Sequence, residues 1–395
     1  MSFNILCVYY IILYMLSTAT LIKEKRLRLG MTQKELADAV GMPKYGDRTI
    51  RRWENEESSP SPLELNQILN FPEASPFPNP SFADYSMIDL FAGIGGTRLG
   101  FYQTGRVKCL FSSEIEKFAV KTYRANFGET PVGDITKINA SDIPDHDILV
   151  GGFPCQAFSL AGLKRGFEDT RGTLFFEIAR ILREKKPKAF LLENVKNLVS
   201  HDGGKTFQVI CNTLKELGYE IFHQILKARD FGVPQNRERI YIVGFDPQKV
   251  PNYKEFHMPK PAKEKTRLGN ILEKKVDDKY TLSDDLWNGH KRRKAEHKLK
   301  GNGFGYSLFN ENSEYCSTIS ARYYKDGSEI LLEQKDKNPR KLTPRECARL
   351  QGFPEEFIIP VSDTQAYKEF GNSVAVPVIH AIAEQIIRVI DGRGE

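Results

Sequence analysis

Five short apolar runs, separated by amphipathic segments, dominate the middle of this chain and leave it few folds to adopt. The runs are SMIDLF, KCLFSS, DILVGG, AFLLEN and RIYIVGF, all between Tyr85 and about Phe245. Each is short, rich in β-branched or aromatic residues and almost without polar interruption, the pattern of a strand covered on both faces. Between them lie segments such as LFFEIARILREKK and KTFQVICNTLKELG, whose apolar residues recur at helical spacing. Alternation of this kind predicts an α/β domain over 85–245, with a parallel sheet and helices on both faces. Ligands of such sheets sit at the carboxyl ends of the strands.

The flanking regions read differently. Residues 15–70 carry helical patterning: a basic stretch Leu21–Leu29 stopped by Gly30, then TQKELADAV with Thr32 and Glu35 as a capping box, ended by Gly41, then DRTIRRWENE from Asp47. Residues 71–84 (FPEASPFPNPSFAD) hold four prolines and no periodicity, which predicts a semi-rigid linker. Residues 246–338 break the alternation with higher charge density, the run HKRRKAEHKLKG and a strand-like stretch CSTISARYYKDGSEILLEQ. Lys325-Asp326-Gly327 there predicts a hairpin turn. This region reads as a small domain inserted into the first. Residues 339–395 return to helix and complete the main domain, with VAVPVIHAIAEQIIRVI packing on its sheet. Phe3–Leu16 is nearly all apolar yet shorter than the roughly 20 residues of a membrane-spanning helix. Residues 1–14 are read as lying upstream of a start at Met15, so no membrane association is expected.

The net charge of +6, from 57 Lys+Arg against 51 Asp+Glu, permits a polyanionic partner without demanding one. Six scattered cysteines with no CxxC pair suggest neither a disulfide framework nor a metal site, and fit a reducing cytoplasm.

Several residues stand at predicted strand ends. The first strand runs into Asp89-Leu90-Phe91-Ala92-Gly93-Ile94-Gly95-Gly96, where glycines let a ligand approach the backbone. The GxGG spacing departs from the dinucleotide pattern GxGxxG and favours a ligand with an adenosine and a methionine tail. Glu114 follows the second strand, where an acid can accept from both ribose hydroxyls. Asp134 in GDI could bond an exocyclic amine; a solvated surface carboxylate is the alternative for both. Cys155 follows a strand and Pro154, a position that suits either a nucleophile or a buried thiol. Glu193 ends FLLEN, where desolvation would raise its pKa and let it hold a proton; capping the next helix is the alternative. Arg237 and Arg239 lie at period two on one strand face, suited to anionic or carbonyl partners or to a structural ion pair.

In order and spacing, these segments resemble the blocks of bacterial cytosine-5 DNA methyltransferases: DLFAGIGG, SSEIEK, GDI, GGFPCQAFS, the DTRGTLFFE loop end, ENV, QNRERIYIVG, RKLTPRECARLQGFP and YKEFGNSVAVP, while ISARYYKDGSEIL and IPVSDTQAYKEFGNS resemble the Dcm-like branch of that family. The likeness runs from about Ile88 to Val378 outside the inserted region. MTQKELA and IRRWEN in turn resemble the helix-turn-helix of Xre/Cro-type repressors.

The resemblance implies a Rossmann-like S-adenosylmethionine-dependent methyltransferase domain, an inserted target-recognition domain and an N-terminal all-α DNA-binding domain. It implies Cys155 as nucleophile toward C6 of a flipped cytosine, Glu193 at N3 and the exocyclic amine, Arg239 at O2 and Arg237 in support. Phe91, Gly93, Ile94, Gly96, Glu114, Ile115, Asp134, Ile135, Asn372 and Ser373 would line the cofactor pocket, with Ile115 where the family often has Trp. Gln156, Ser159, Lys291, Arg292, Arg293, Lys294 and Thr318 would contact double-stranded DNA. Arg48, Arg51 and Arg52 would do so from the recognition helix, with the gene's own promoter as one such site. The implied target is a short CCGG-, CCWGG- or CCNGG-type palindrome modified at the inner cytosine by a monomer. Dnmt2-type RNA methyltransferases share the blocks, and a recognition insert with a helix-turn-helix sets this chain apart from them.

Overall fold

A computed structural model describes residues 17–29, 31–71, 75–153, 174–261, 265–303 and 305–392. Residues 1–14, Gly30, Cys155, Gln156 and Ser159 lie outside them. The chain forms two compact units: described residues to Pro78 with Ala125–Gly128, and Asn79–Arg124 with Glu129 onward.

The first unit holds α1 (Thr18–Arg28), α2 (Gln33–Ala39), α3 (Gly46–Glu54) and α4 (Pro62–Leu69). Helix α1 starts three residues before the basic stretch suggested, because Ser17 accepts from the Thr20 amide and caps it. The Thr32–Glu35 capping box of α2 is present, and Ser61–Glu64 makes a second one at α4. Gly41, at φ +70°, ends α2 as expected. Ile22, Leu36, Ala37, Val40, Ile50, Trp53 and Ile68 form one core. Arg26 grips the buried Glu54 carboxylate with Nε at 2.6 Å and Nη2 at 3.0 Å, and Gln33 donates to it at 2.8 Å. Gly46 lets α3 dock closely: a Cβ there would stand 2.7 Å from Met42 Cβ and 2.9 Å from Ala37 Cβ. With Ile50 and Trp53 buried, Arg48, Arg51 and Arg52 are left exposed at i, i+3 and i+4 on the opposite face of α3.

The second unit is built on a six-stranded sheet of order β2-β1-β3-β4-β6-β5. Its strands are β1 (Tyr85–Leu90), β2 (Val107–Ser113), β3 (Ile148–Gly152), β4 (Ala189–Val195), β5 (Glu220–Lys227) and β6 (Glu238–Phe245). The five apolar runs supply all but β5. The sheet is parallel through β4, but β6 runs antiparallel to both neighbours, so the all-parallel expectation is corrected. Strand β5 escapes the sequence pattern because it is an edge strand, EIFHQILK, with most side chains partly or fully exposed.

Helices α5 (Gly96–Tyr102), α6 (Lys117–Phe127), α7 (Leu174–Lys185) and α8 (Lys205–Glu216) follow β1, β2, the β3 loop and β4. One face is covered by α7 and α8 through Phe175, Ile178, Leu182, Ile210 and Leu214. The other meets α12 (Val376–Ile390) through Ile379, Ile382 and Ile386, as the apolar spacing predicts. Gly100 of α5 lies against α12, where a Cβ would come within 2.6 Å of Ile379.

Residues 246–338 are mostly turns around α9 (Asp284–Leu299) and a small sheet of β7 (Leu308–Phe309), β8 (Leu331–Gln334) and β9 (Lys337–Arg340). Two expectations change here. The hairpin turn falls at Lys335-Asp336, with Asp336 at φ +58°, and not at Lys325-Asp326-Gly327. Tyr323 is fully buried and bonds the Ile330 carbonyl and the Leu342 amide, which draws 316–330 into turns and away from a strand. Strand β9 continues to Arg340, whose guanidinium makes two bonds to buried Glu346 of α10 (Pro344–Leu350). The segment 71–84 is no free spacer at its end, because Asn79 pairs with the Cys109 backbone of β2 at 2.7 and 2.9 Å.

Candidate active site

Four parallel strands end on one edge of the sheet, and the antiparallel strand β6 begins there. That reversal brings the basic pair to the site. In register, Gly152 faces Glu193 across β3–β4, and Val195 faces Arg239 across β4–β6.

Glu193 Oε1 lies 3.0 Å from Arg239 Nε, with both side chains about one-sixth exposed. Burial pushes the Glu193 carboxyl up from the ordinary range, while the guanidinium groups of Arg239 and Arg237 pull it down. Asn194, next to last in β4, donates to the Phe153 carbonyl at 2.7 Å and so fixes the last described residue after β3.

Arg237 is turned to backbone carbonyls. It is 3% exposed and donates to the carbonyls of Ile319, Gly371 and Ser373. Burial, then the Arg239 charge, pushes its pKa down to about 9. Its place is that of a clamp joining β6, the inserted region and the end of α11 (Asp363–Asn372). The same helix end allows no side chain at Gly371, where a Cβ would sit 2.3 Å from the Ser320 carbonyl oxygen.

Beside this edge lies a polar cavity of about 370 Å³, lined by Val195, Lys196, Asn197, Asn236, Glu238, Arg239, Ser317 and Thr318. Thr318 Oγ1 donates to the Asn236 carbonyl at 2.7 Å, which sets the inserted region at the cavity wall. A larger cavity of about 830 Å³ around Asn270, Lys274 and Arg349 holds none of the expected site residues.

The β1–α5 loop bends through left-handed conformations at Phe91 (φ +57°), Gly93 and Gly95. The Glu114 carboxylate is fixed by three backbone amides, each at 2.8 Å: Gly93 to Oε2, Ile115 and Glu116 to Oε1. Gly96 faces α11, where a Cβ would stand 2.7 Å from Ser373 Oγ. The loop, Glu114 and Ser373 are therefore brought together. Ile115 is 74% exposed, an apolar surface open beside Glu114. Ile94 and Ile135 are core side chains, so only their backbones are free to face a ligand. Asp134 is engaged locally: its Oδ1 accepts from the Thr136 amide at 3.0 Å and hydroxyl at 2.8 Å, which hold its pKa low. Asn372 is exposed at the end of α11.

Asp89, at the end of β1, is a residue to which the strand-end pattern assigns no role. It is 1% exposed, neither carboxylate oxygen has a hydrogen-bond partner among the described residues, and burial pushes its pKa to about 7. The signal is an acid inside an otherwise apolar strand.

The basic run lies on α9, and its four cations differ. Lys294 donates to the Tyr306 carbonyl at 2.9 Å and covers that ring at 4.1 Å. Arg293 contacts His290 at 3.1 Å and Asp326 at 3.5 Å. Lys291 lies over Trp287 at 5.5 Å, and Arg292 is exposed with Glu296 at 3.9 Å.

A family model for C-5 cytosine-specific DNA methylases matches residues 85–388, and one for helix-turn-helix domains matches 22–76. The chain is 74% identical over 371 residues to the Type II methyltransferase M1.ScrFI of Lactococcus lactis subsp. cremoris, covering 94% of this chain and 95% of that protein. It is 69% identical over 373 residues to Type II methyltransferase M.SsoII of Shigella sonnei, covering 94% and 98%. Among solved structures, the Entamoeba histolytica methyltransferase EhMeth shares the fold at a TM-score of 0.62 and 22% identity, over 78% of this chain and 99% of that one. The chain therefore belongs to the C-5 cytosine-specific DNA methylase family, as a Type II DNA (cytosine-5)-methyltransferase with an N-terminal helix-turn-helix domain.

Proposed function

We propose that this enzyme methylates a cytosine extruded from duplex DNA through a transient bond between Cys155 and ring carbon C6. The observation that carries the reading is the Glu193–Arg239 pair at 3.0 Å on the edge where β3 releases the Cys155 segment. C5 of cytosine is a poor nucleophile. Addition of the Cys155 thiolate to C6 makes C5 enamine-like, and a proton held by Glu193 at N3 relieves the charge that builds on the ring. Arg239 orients that carboxyl and donates to O2 of the base. After C5 is methylated, loss of its proton expels the thiolate and restores the ring. The four described cysteines do not suit this role, because burial raises the thiols of Cys109, Cys211, Cys316 and Cys347. The stacked base must flip out, at a cost of a few kcal/mol.

The β1–α5 loop fits S-adenosylmethionine. Glu114 is preset by three amides with one lone pair, on Oε2, left for a ribose hydroxyl, Ile115 offers an apolar face to adenine, and Gly96 leaves room beside Ser373. Bound there, the cofactor supplies an electrophilic methyl group. Phe91, Gly93, Asn372 and the backbones of Ile94 and Ile135 complete the pocket, and Asp134 reaches the adenine amine with its second oxygen.

The inserted region reads the site from the major groove, with Thr318 beside the base cavity. Lys291 and Arg292 meet phosphates, while Lys294 and Arg293 brace α9. The target is a CCGG-, CCWGG- or CCNGG-type palindrome modified at the inner cytosine by a monomer in the cytoplasm, alone or beside a cognate endonuclease. The helix-turn-helix unit binds the gene's own promoter through Arg48, Arg51 and Arg52.

The test is covalent trapping. Wild-type enzyme incubated with cofactor and a duplex carrying 5-fluorocytosine should form a stable adduct, and C155S should not. Adduct formation by C155S, or full methyl transfer by it, overturns the mechanism. Bisulfite sequencing of DNA from expressing cells reads the target.

A further inference from the structure

Helix α6 begins just behind Glu114, and α11 ends at Asn372–Ser373, so each helix leads into residues assigned above to the cofactor pocket. They meet at a buried polar contact. Thr122, fully buried, donates through Oγ1 to Glu369 Oε2 at 2.9 Å, and Glu369 is 7% exposed. We infer that Thr122 and Glu369 are a positioning pair that holds the two walls of the cofactor pocket in register. The inference rests on the reading of that pocket as the S-adenosylmethionine site.

The geometry transmits directly. The Glu369 carbonyl accepts from the Ser373 amide at 3.0 Å, and Ser373 is the residue packed against Gly96 of the cofactor loop. At the other end, Glu116 caps α6 through the Phe118 and Ala119 amides at 2.8 and 3.0 Å, two residues from Glu114. A shift of the seam between α6 and α11 moves Ser373 against the loop.

The chemistry of the pair sets a condition. Glu369 Oε1 is buried with no partner among the described residues, which a neutral acid tolerates and a carboxylate does not. Burial, with the Glu116 charge adding to it, raises the Glu369 pKa to about 8, against the Thr122 bond and Lys121. Among the described residues those are the charged groups that act on it; Arg237 approaches α11 from the sheet but is spent on the Gly371 and Ser373 carbonyls. Binding that needs the neutral acid depends on the fraction of folded protein that still holds this proton, and that fraction falls as pH rises through the folded pKa. Cofactor affinity should therefore hold at neutral pH and fall as pH rises past about 8.

The test is equilibrium binding of S-adenosylmethionine to the full chain between pH 6.5 and 9.5. The cofactor's own amine titrates alike in every variant, so the difference between wild type and E369Q is what counts. Above pH 8 the wild type should lose up to about tenfold more affinity per pH unit than E369Q, by proton linkage. At pH 7, T122V should bind about tenfold more weakly, the worth of a buried hydrogen bond to an acid, with kcat at saturating cofactor unchanged. Superimposable pH curves for wild type and E369Q, or wild-type affinity in T122V, overturn the inference. E114A is the separate control: if it binds the cofactor normally, the pocket assignment itself falls.

Discussion

Arg239 reaches across from the second residue of β6 to place Nε 3.0 Å from Glu193 Oε1 on β4, and that contact exists because β6 runs against its neighbour. In a parallel arrangement the basic pair would lie at the far end of the sheet. Burial and the two guanidinium groups then work in opposite directions on one carboxyl.

That balance makes the acid's pKa depend on its partner. R239Q removes the larger of the two charges holding Glu193 down, so its pKa should rise further. A step that needs the protonated acid fails as pH climbs through that pKa. The alkaline limb of kcat/KM should accordingly move to higher pH in R239Q, with the rate at its optimum down about 10²-fold or more for loss of an oriented charge. A pH–rate profile with an unmoved alkaline limb would contradict the coupling.

Arg237 should behave as a brace. R237M leaves the carbonyls of Ile319, Gly371 and Ser373 without their donor. The expected loss is about 1–3 kcal/mol of stability, the cost of a buried acceptor left unsatisfied, read by urea unfolding. KM for S-adenosylmethionine should rise through Ser373. Retention of wild-type stability would show that the clamp carries little.

Asp89 predicts a stability trend. Its carboxyl is raised from 3.8 to about 7 in the folded protein, so the native state holds its proton longer than the unfolded chain. Its contribution is complete below about pH 4 and declines as pH rises toward 7. D89N should flatten this decline and gain up to about 4 kcal/mol at pH 8 relative to wild type. Chemical denaturation at pH 5 and pH 8 would measure it, and identical slopes in both proteins would rule the effect out.

The exposed arginine face of α3 should act through salt-dependent binding. Replacing Arg48, Arg51 and Arg52 together by Ala should leave thermal stability unchanged, since none is buried. Promoter affinity should drop, and the slope of log K against log salt should shrink by about 0.9 for each phosphate that is no longer neutralised. Footprinting across a salt series reads both, and an unaltered slope would place the DNA-binding face elsewhere.

Much of this is legible in the residues. Buried strands announce themselves because a strand covered on both faces must be apolar throughout, which makes β1, β2, β3, β4 and β6 readable from their composition. Capping boxes are equally local, so the start of α2 and its end at Gly41 follow from a few adjacent residues. Edge strand β5 leaves no such trace, since its open side tolerates His223 and Gln224. The Lys325–Gly327 turn misleads for a related reason: local turn propensity loses to the burial of Tyr323.

Sequence alone determined which residue types stand at the strand ends, because motif spacing and apolar period are properties of neighbours along the chain. The direction of β6, the clamp role of Arg237, the unpaired burial of Asp89 and the Thr122–Glu369 contact were decided only by the tertiary structure. Each depends on groups far apart in sequence, 247 residues for the last pair, and on a desolvation that exists only once the core has closed around them.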